Sequence, residues 1–384
     1  MTHAVSRLLI IDDEPAICDF LRKVAVSAGF QTEATSSSDT FRKLLREFQP
    51  DTVLMDLNMP EVDGIELLGI LGDAQYSGAV LVISGVDSRV LAAAEKSGNA
   101  HGLKMLGTLQ KPVSLPDLRK ALESVRVAQR VITEKDLRQA LDSEQLVLYF
   151  QPKMARRDDN KWLMDGTEAL VRWEHPKYGL LMPGDFLPVM ENFGLISELT
   201  DYVINTVLKQ MGIWAQREIE IPVAVNIPAD LLADTGFPDR LSSLLEEYGV
   251  DISELGLEVT ETGIMEAPEV SIDILARLRL KGVELSIDDF GTGYSSFSRL
   301  LQLPFSELKI DRSIIVAAEK DQEAKTMIRA MIGLAHNLNM TVCAEAVENQ
   351  EVLDFLHSEN CDKVQGYFFS KAISATALEK FALD

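Results

Sequence analysis

The chain has 384 residues and a formal net charge of −23 at pH 7. That length suits two or three domains with separate cores, and the acidic balance argues against direct DNA binding, which needs Lys and Arg against the phosphates. Three widely spaced cysteines (Cys18, Cys343, Cys361), with no CxxC pair, suggest neither a disulfide framework nor a zinc–thiolate site, and no HExxH pair is present. No apolar run reaches the ~18 residues of a membrane span, and the N-terminus lacks a signal-peptide core. A reduced, cytoplasmic protein is expected.

Residues 1–125 alternate short apolar runs with helical patterns. RLLII (Arg7 to Ile11) reads as a buried strand and PAICDFLRKVAVSAG as a helix. Ile17, Phe20, Leu21, Val24 and Ala28 share one face of that helix, and Gly29 suits its C-terminal cap. TVLMD (Thr52 to Asp56) and AVLVI (Ala79 to Ile83) are further strands. Ser114, with Asp117 three residues on, is an N-cap for a helix to about Gln129. Continuous apolar strands alternating with helices predict an α/β domain with a doubly wound parallel sheet.

Asp12 and Asp13 follow the first strand, Asp56 the third and Ser84 the fourth, with Lys111-Pro112 after a fifth. Carboxyl ends of parallel strands converge on one crevice. Three carboxylates there call for a hard cation such as Mg²⁺, and a hydroxyl and a lysine nearby suit an aspartyl phosphate. Any one Asp could equally be a turn residue or helix cap. The ordered set IIDDEP, LMDLNMPEVDG, ISG and QKP resembles the receiver domains of response regulators. The resemblance implies Asp56 as phosphoacceptor, a Mg²⁺ on Asp12, Asp13 and Asp56, Ser84 and Lys111 on the phosphoryl group, and a sensor histidine kinase as partner. Thr108 stands where receivers usually carry an aromatic switch residue, and the stretch from Ser84 to Lys111 is longer than usual.

Residues 126–145 read as a helical, charged linker. From 146 to 384 eight strand-like runs follow: LVLYF, EALVRW, VAVNI, LGLEVT, ELSID, ELKID, TVCAE and KVQGY. Helical patterns separate most of them, as in a (β/α)₈-type barrel. Between Gln151 and Thr167 lies KMARRDDNKWLMD, short and polar at its centre, too little for a parallel crossover. One antiparallel strand is therefore expected.

The strand ends carry Glu168, Asn226, Glu258, Glu261, Asp288, Asp289, Lys309, Asp311, Glu345, Glu348 and Gln365. Barrel enzymes build their sites at these ends. Converging acids need cations, since each buried unpaired carboxylate costs several kcal/mol. All-oxygen donors favour Mg²⁺, Mn²⁺ or Ca²⁺ over zinc, and two such ions suit in-line displacement at a phosphodiester. Lys309 could orient or help deprotonate the attacking water. Singly, Glu168 could be a salt-bridged barrel residue, Asp288-Asp289 a helix cap, and Gly291 and Gly293 a mere turn in DDFGTGYSS.

Together these residues closely resemble the EAL-domain phosphodiesterases, which hydrolyse cyclic di-GMP to linear pGpG. The resemblance covers residues 135–384. It implies two Mg²⁺ or Mn²⁺ ions, one on Glu168, Asn226, Glu258 and Asp288, the other on Asp288, Asp289 and Glu345. It makes Glu168, Glu345 and Lys309 catalytic, with Lys309 acting on the water. Arg172 and Gln365 would contact substrate, Glu261 would brace DDFGTGYSS, and a homodimer or higher homo-oligomer is implied. The family's EGVE reads Glu345-Ala346-Val347-Glu348, harmless unless that position needs a positive φ, and Met190 replaces the usual Ala before Glu191. No GGDEF segment is present. A phosphorylation-controlled phosphodiesterase is expected; a silent nucleotide receptor and a receiver-driven interaction module are the rivals.

Overall fold

The computed structural model describes residues 6–60, 62–85, 88–128, 131–157, 161–266, 270–291 and 302–383. The chain divides into two compact units, Met1–Val131 and Ile132–Asp384.

In the first unit five strands form a parallel sheet: β1 (Arg7–Ile11), β2 (Gln31–Thr35), β3 (Thr52–Asp56), β4 (Ala79–Ser84) and β5 (Lys104–Gln110), in the order β2-β1-β3-β4-β5. Alternation along each strand explains the two layers of core. Leu8, Ile10, Leu54, Leu81 and Ile83 face one cluster with Leu118 and Leu122. Leu9, Ile11, Val53, Met55, Val80 and Val82 face the other with Phe41, Leu67 and Leu71. A sheet covered on both faces needs apolar residues at every strand position, which is why these runs show no polar alternation.

Helix Pro15–Ser27 buries Cys18, Leu21, Val24 and Ala25, whereas Phe20 of the expected face is exposed. Cys18 takes the buried position because its thiol lies against the backbone carbonyls of Asp12 and Thr35. Gly29, at φ +88°, ends the helix as its sequence position suggests. Ser114 accepts from the backbone N–H of Asp117 at the start of helix Leu115–Ala128. A β-bulge sits in β5: Leu81 has no partner in register, and Gly107 stands at φ +113° opposite it. The bulge absorbs one residue of the long Ser84–Lys111 stretch.

The second unit opens with helix Glu134–Asp142, capped by the reciprocal Thr133–Asp136 pair. Its Leu137 and Ala140 belong to the core of this unit. Eight strands then close a ring: β6 (Leu146–Arg156), β7 (Trp162–His175), β9 (Val223–Asn226), β10 (Leu255–Thr260), β11 (Glu284–Phe290), β12 (Glu307–Ile310), β13 (Thr341–Ala344) and β14 (Lys363–Gln365). β6 runs antiparallel to both neighbours, β7 and β14, and the others are parallel. The short β6–β7 connection dictates this, and the eight sequence runs fall on the eight barrel strands. A ninth strand, β8 (Gly179–Leu181), pairs with the end of β7 outside the ring; its three residues carry no strand signal.

Period-two alternation also layers the barrel interior. Toward the carboxyl ends stand Glu168, Asn226, Glu258, Asp288, Lys309, Glu345 and Gln365. Two residues earlier on the same strands come Gly166, Ala224, Gly256, Ser286, Glu307, Cys343 and Lys363. The first layer is chemical. The second is mostly small, with two charges set in it.

Candidate active site in the barrel and acidic pocket in the receiver

Lys309 is the centre of the barrel site and is wholly buried. Its Nζ lies 2.6 Å from Glu258 Oε2, 2.8 Å from Glu345 Oε1, 3.1 Å from Asp288 Oδ1 and 3.5 Å from Glu168 Oε2. Each partner comes from a different strand end, so barrel closure itself assembles the group. Burial alone would lower the Lys309 pKa; the surrounding carboxylates outweigh it and hold the ammonium well above its ordinary value.

Glu168 is fixed by two amides. Asn226 Nδ2 donates to its Oε1 at 2.7 Å and Gln365 Nε2 to its Oε2 at 2.8 Å. Gln365 Oε1 is buried and accepts no hydrogen bond among the described residues. It is an acceptor available to a ligand. Asp289 hydrogen-bonds through its backbone N–H to Asp288 Oδ1 at 2.9 Å. Burial and then the Asp288 charge push the Asp289 carboxyl up to about 6. Glu345 is pushed up to about 8, chiefly by burial; Lys309 opposes the shift and Asp288 and Glu168 add to it. Glu261 is buried and accepts from the Gly291 N–H at 2.7 Å, the first glycine of DDFGTGYSS. Gly293 and the rest of that loop lie outside the described residues.

The group opens into a cavity of about 240 Å³ lined by Glu168, Asp288, Glu345 and Gln365, and also by Gln151, Leu170, Arg312 and Tyr367. Sequence reasoning passed over the last four. Gln151 sits just past an apolar run, Arg312 follows Asp311 by one position, and Tyr367 follows Gln365 by two. Arg172 is not among the lining residues. Its guanidinium donates to the Val171 carbonyl and lies 5.9 Å from the Tyr149 ring centroid.

In the first unit Asp12, Asp13 and Asp56 bring carboxylate oxygens within 4.8 Å of one another. Lys111 Nζ lies 2.6 Å from Asp56 Oδ2 and 2.9 Å from Asp12 Oδ2. Burial disfavours the Lys111 charge, but bonds to Asp56 and Asp12 win and raise its pKa. Ser84 is buried at the end of β4, whereas Thr108 is exposed.

A family model described as the EAL domain matches residues 134–372, and one described as the response regulator receiver domain matches residues 8–123. The chain belongs to the EAL domain family. A receiver domain precedes its EAL domain. The cyclic di-GMP phosphodiesterase RocR of Pseudomonas aeruginosa is 32% identical over 383 residues, covering 95% of each chain. The bifunctional diguanylate cyclase/cyclic di-GMP phosphodiesterase MucR of the same organism is 40% identical over 244 residues, 63% of this chain. This chain spans only about a third of the length of MucR and of NbdA, another P. aeruginosa relative (35% and 33%). A solved structure titled PaMucR phosphodiesterase, c-di-GMP complex, matches with TM-score 0.60 and 40% identity. The match covers 64% of this chain and 98% of that one.

The EAL site suits divalent cations on its own chemistry. Four carboxylates, Glu168, Glu258, Asp288 and Glu345, surround the Lys309 ammonium, and Asp289 brings a carboxylate oxygen within 4.8 Å of those of Asp288 and Glu345, a concentration of buried acid that divalent cations would relieve. Lys309 stands in as the resident cation, and the donors are all hard oxygens.

One departure from the family pattern has a cost. Ala346 lies at φ +50°, in the left-handed region that a Cβ disfavours. The condition under which the missing glycine matters is therefore met, immediately beside Glu345. Ala346→Gly should stabilise the barrel by up to about 1 kcal/mol, measured by denaturant unfolding; an ordinary Ala→Gly loss of about 1 kcal/mol would contradict the strain.

Glu345 yields a pH prediction. Between its ordinary value and about 8, the metal-free folded protein keeps a proton that the unfolded chain has lost. Stability from this group therefore falls as pH rises through that window. In EDTA, Glu345→Gln should gain on wild type in melting temperature between pH 6 and 9; a constant difference would contradict the assignment.

Proposed function

We propose that this chain is a cation-dependent phosphodiesterase that hydrolyses cyclic di-GMP to linear pGpG, under the control of phosphorylation at Asp56. The observation that carries the reading is the Lys309 cluster: four carboxylates from four strand ends around one buried ammonium, opening on a cavity that Gln365 and Arg312 also line. Its relatives named as cyclic di-GMP phosphodiesterases, one aligned over nearly the whole chain, give the substrate class.

Glu168, Asn226, Glu258 and Asp288 would hold one Mg²⁺ or Mn²⁺, and Asp288, Asp289 and Glu345 a second. Bound divalent cations supply Lewis acidity toward the phosphodiester and its attacking water. The chain's own residues position the reactants. Lys309, as a buried ammonium, orients the water and stabilises developing negative charge. Gln365 offers Oε1 to a donor on the substrate while its amide nitrogen keeps Glu168 in place. Arg172 is a candidate for the substrate's outer part, beyond the cavity. Glu261 anchors the start of DDFGTGYSS through Gly291.

In the receiver, Asp56 would accept the phosphoryl group from a sensor histidine kinase, with Asp12 and Asp13 holding Mg²⁺. Ser84 and Lys111 would then bind the phosphoryl oxygens. Thr108 has no ring to turn inward, so the signal leaves by another route than the usual aromatic. A cytoplasmic homodimer or higher homo-oligomer fits this reading. No helix among the described residues is long and apolar enough to cross a membrane.

The test is hydrolysis of labelled cyclic di-GMP by the purified chain in Mn²⁺ or Mg²⁺. Linear pGpG is expected, with Glu168→Ala slower by at least about a thousandfold. A small phosphodonor should change the wild-type rate and leave Asp56→Asn unaffected. Tight binding without turnover in saturating metal would mean a nucleotide receptor instead.

A further inference from the structure

Lys153 lies on β6 in the barrel core, 5% exposed, and the cation chemistry proposed above assigns it no role. Its Nζ is 2.5 Å from Glu258 Oε1 and 3.2 Å from Glu307 Oε1. Glu258 is thereby held at both ends: Oε1 by Lys153 and Oε2 by Lys309 at 2.6 Å. The line of alternating charge continues. Glu307 Oε2 pairs with Lys363 at 3.0 Å, and Lys363 with Asp165 at 3.3 Å. Ser286 adds a hydroxyl donor to Glu307 Oε1 at 3.1 Å.

Barrel interiors are ordinarily filled by Val, Ile and Leu, and burying an ammonium costs several kcal/mol unless it is paired and hydrogen-bonded. Here the layer is cut back to Gly166, Ala224, Gly256 and Ser286, which line a cavity of about 180 Å³ together with Lys153, Glu307 and Lys363. Burial opposes the Lys153 charge, but Glu258 and Glu307 hold its pKa well above the ordinary value. Glu307 is correspondingly drawn down to about 2: burial opposes this, and Lys153 and Lys363 outweigh it. The sequence thus keeps a charged lysine under the active site at some cost to packing.

We propose that Lys153 is a positioning residue: it pins Oε1 of Glu258 so that the carboxylate presents only Oε2 to the cation site, with Glu307 holding Lys153 in turn. A carboxylate tied at one oxygen is kept from swinging round to chelate through both. Residues behind a ligand commonly tune affinity in this manner, by about 10–100-fold. The proposal rests on the reading of Glu258 as a cation ligand.

The test counts free Mn²⁺ by electron paramagnetic resonance, without nucleotide, on the full chain. Asp13→Asn and Asp56→Asn are present in every sample to silence the receiver pocket. Lys153→Met with Glu307→Gln removes one charge of each sign, so the core stays balanced. That variant should bind Mn²⁺ at the barrel at least about tenfold more weakly with an unchanged circular dichroism spectrum. Lys153→Gln keeps a donor, one bond shorter and without the charge. It should fall between the two and covers the case in which the double variant does not fold. Wild-type affinity in either folded variant overturns the proposal. A parent barrel that takes up no Mn²⁺ overturns the ligand reading beneath it.

Discussion

A single ammonium organises the barrel. Lys309 sits with no solvent contact among Glu168, Glu258, Asp288 and Glu345. Such a charge is tolerable in the interior only because acids on other strands converge on it. The acids in turn are tolerable together only because a cation stands between them. Neither half of the arrangement is stable without the other, and both exceed what a packed barrel needs. The surplus of acid over base is the feature on which the proposed use of divalent metal and a phosphodiester rests.

The surroundings serve that centre. Asn226 and Gln365 each tie down one oxygen of Glu168, and Lys153 ties down the far oxygen of Glu258. Positive φ at Asp289 and Ala346 turns the chain sharply beside two of the acids. Glycine would ease the second turn, so the site carries strain of a kind common where backbone geometry is dictated by function. The receiver repeats the logic on a smaller scale, with Lys111 bridging Asp56 and Asp12 at the mouth of a parallel sheet.

Much of this was legible in the sequence because both sheets put their chemistry at the ends of apolar runs. A buried parallel strand announces itself as a continuous hydrophobic stretch, so an Asp or Glu at its end stands out, as in TVLMD and ELSIDD. The antiparallel β6 was legible from the length of one connection. What escaped has a physical pattern. Lys153 stands within a strand rather than at its end, and only the closed ring reveals that it meets Glu258 from across the barrel. Arg312 and Tyr367 reach the cavity from positions after their strands, where no periodicity points. Phe20 was misplaced because helical spacing fixes a stripe to within one residue, and the thiol of Cys18, not the larger ring, fills the slot under β1. At Ala346 the sequence raised the question, alanine where the family has glycine, but not its answer, since alanine favours the negative φ that the fold denies it.

The central requirement of the proposed function is divalent metal at the strand ends of the barrel. Anomalous diffraction from crystals of the chain soaked in Mn²⁺ should show density against Glu168, Asn226, Glu258 and Asp288, with a second peak against Asp288, Asp289 and Glu345. Manganese found only at the receiver acids, with Lys309 still occupying the centre of the barrel group, would contradict it.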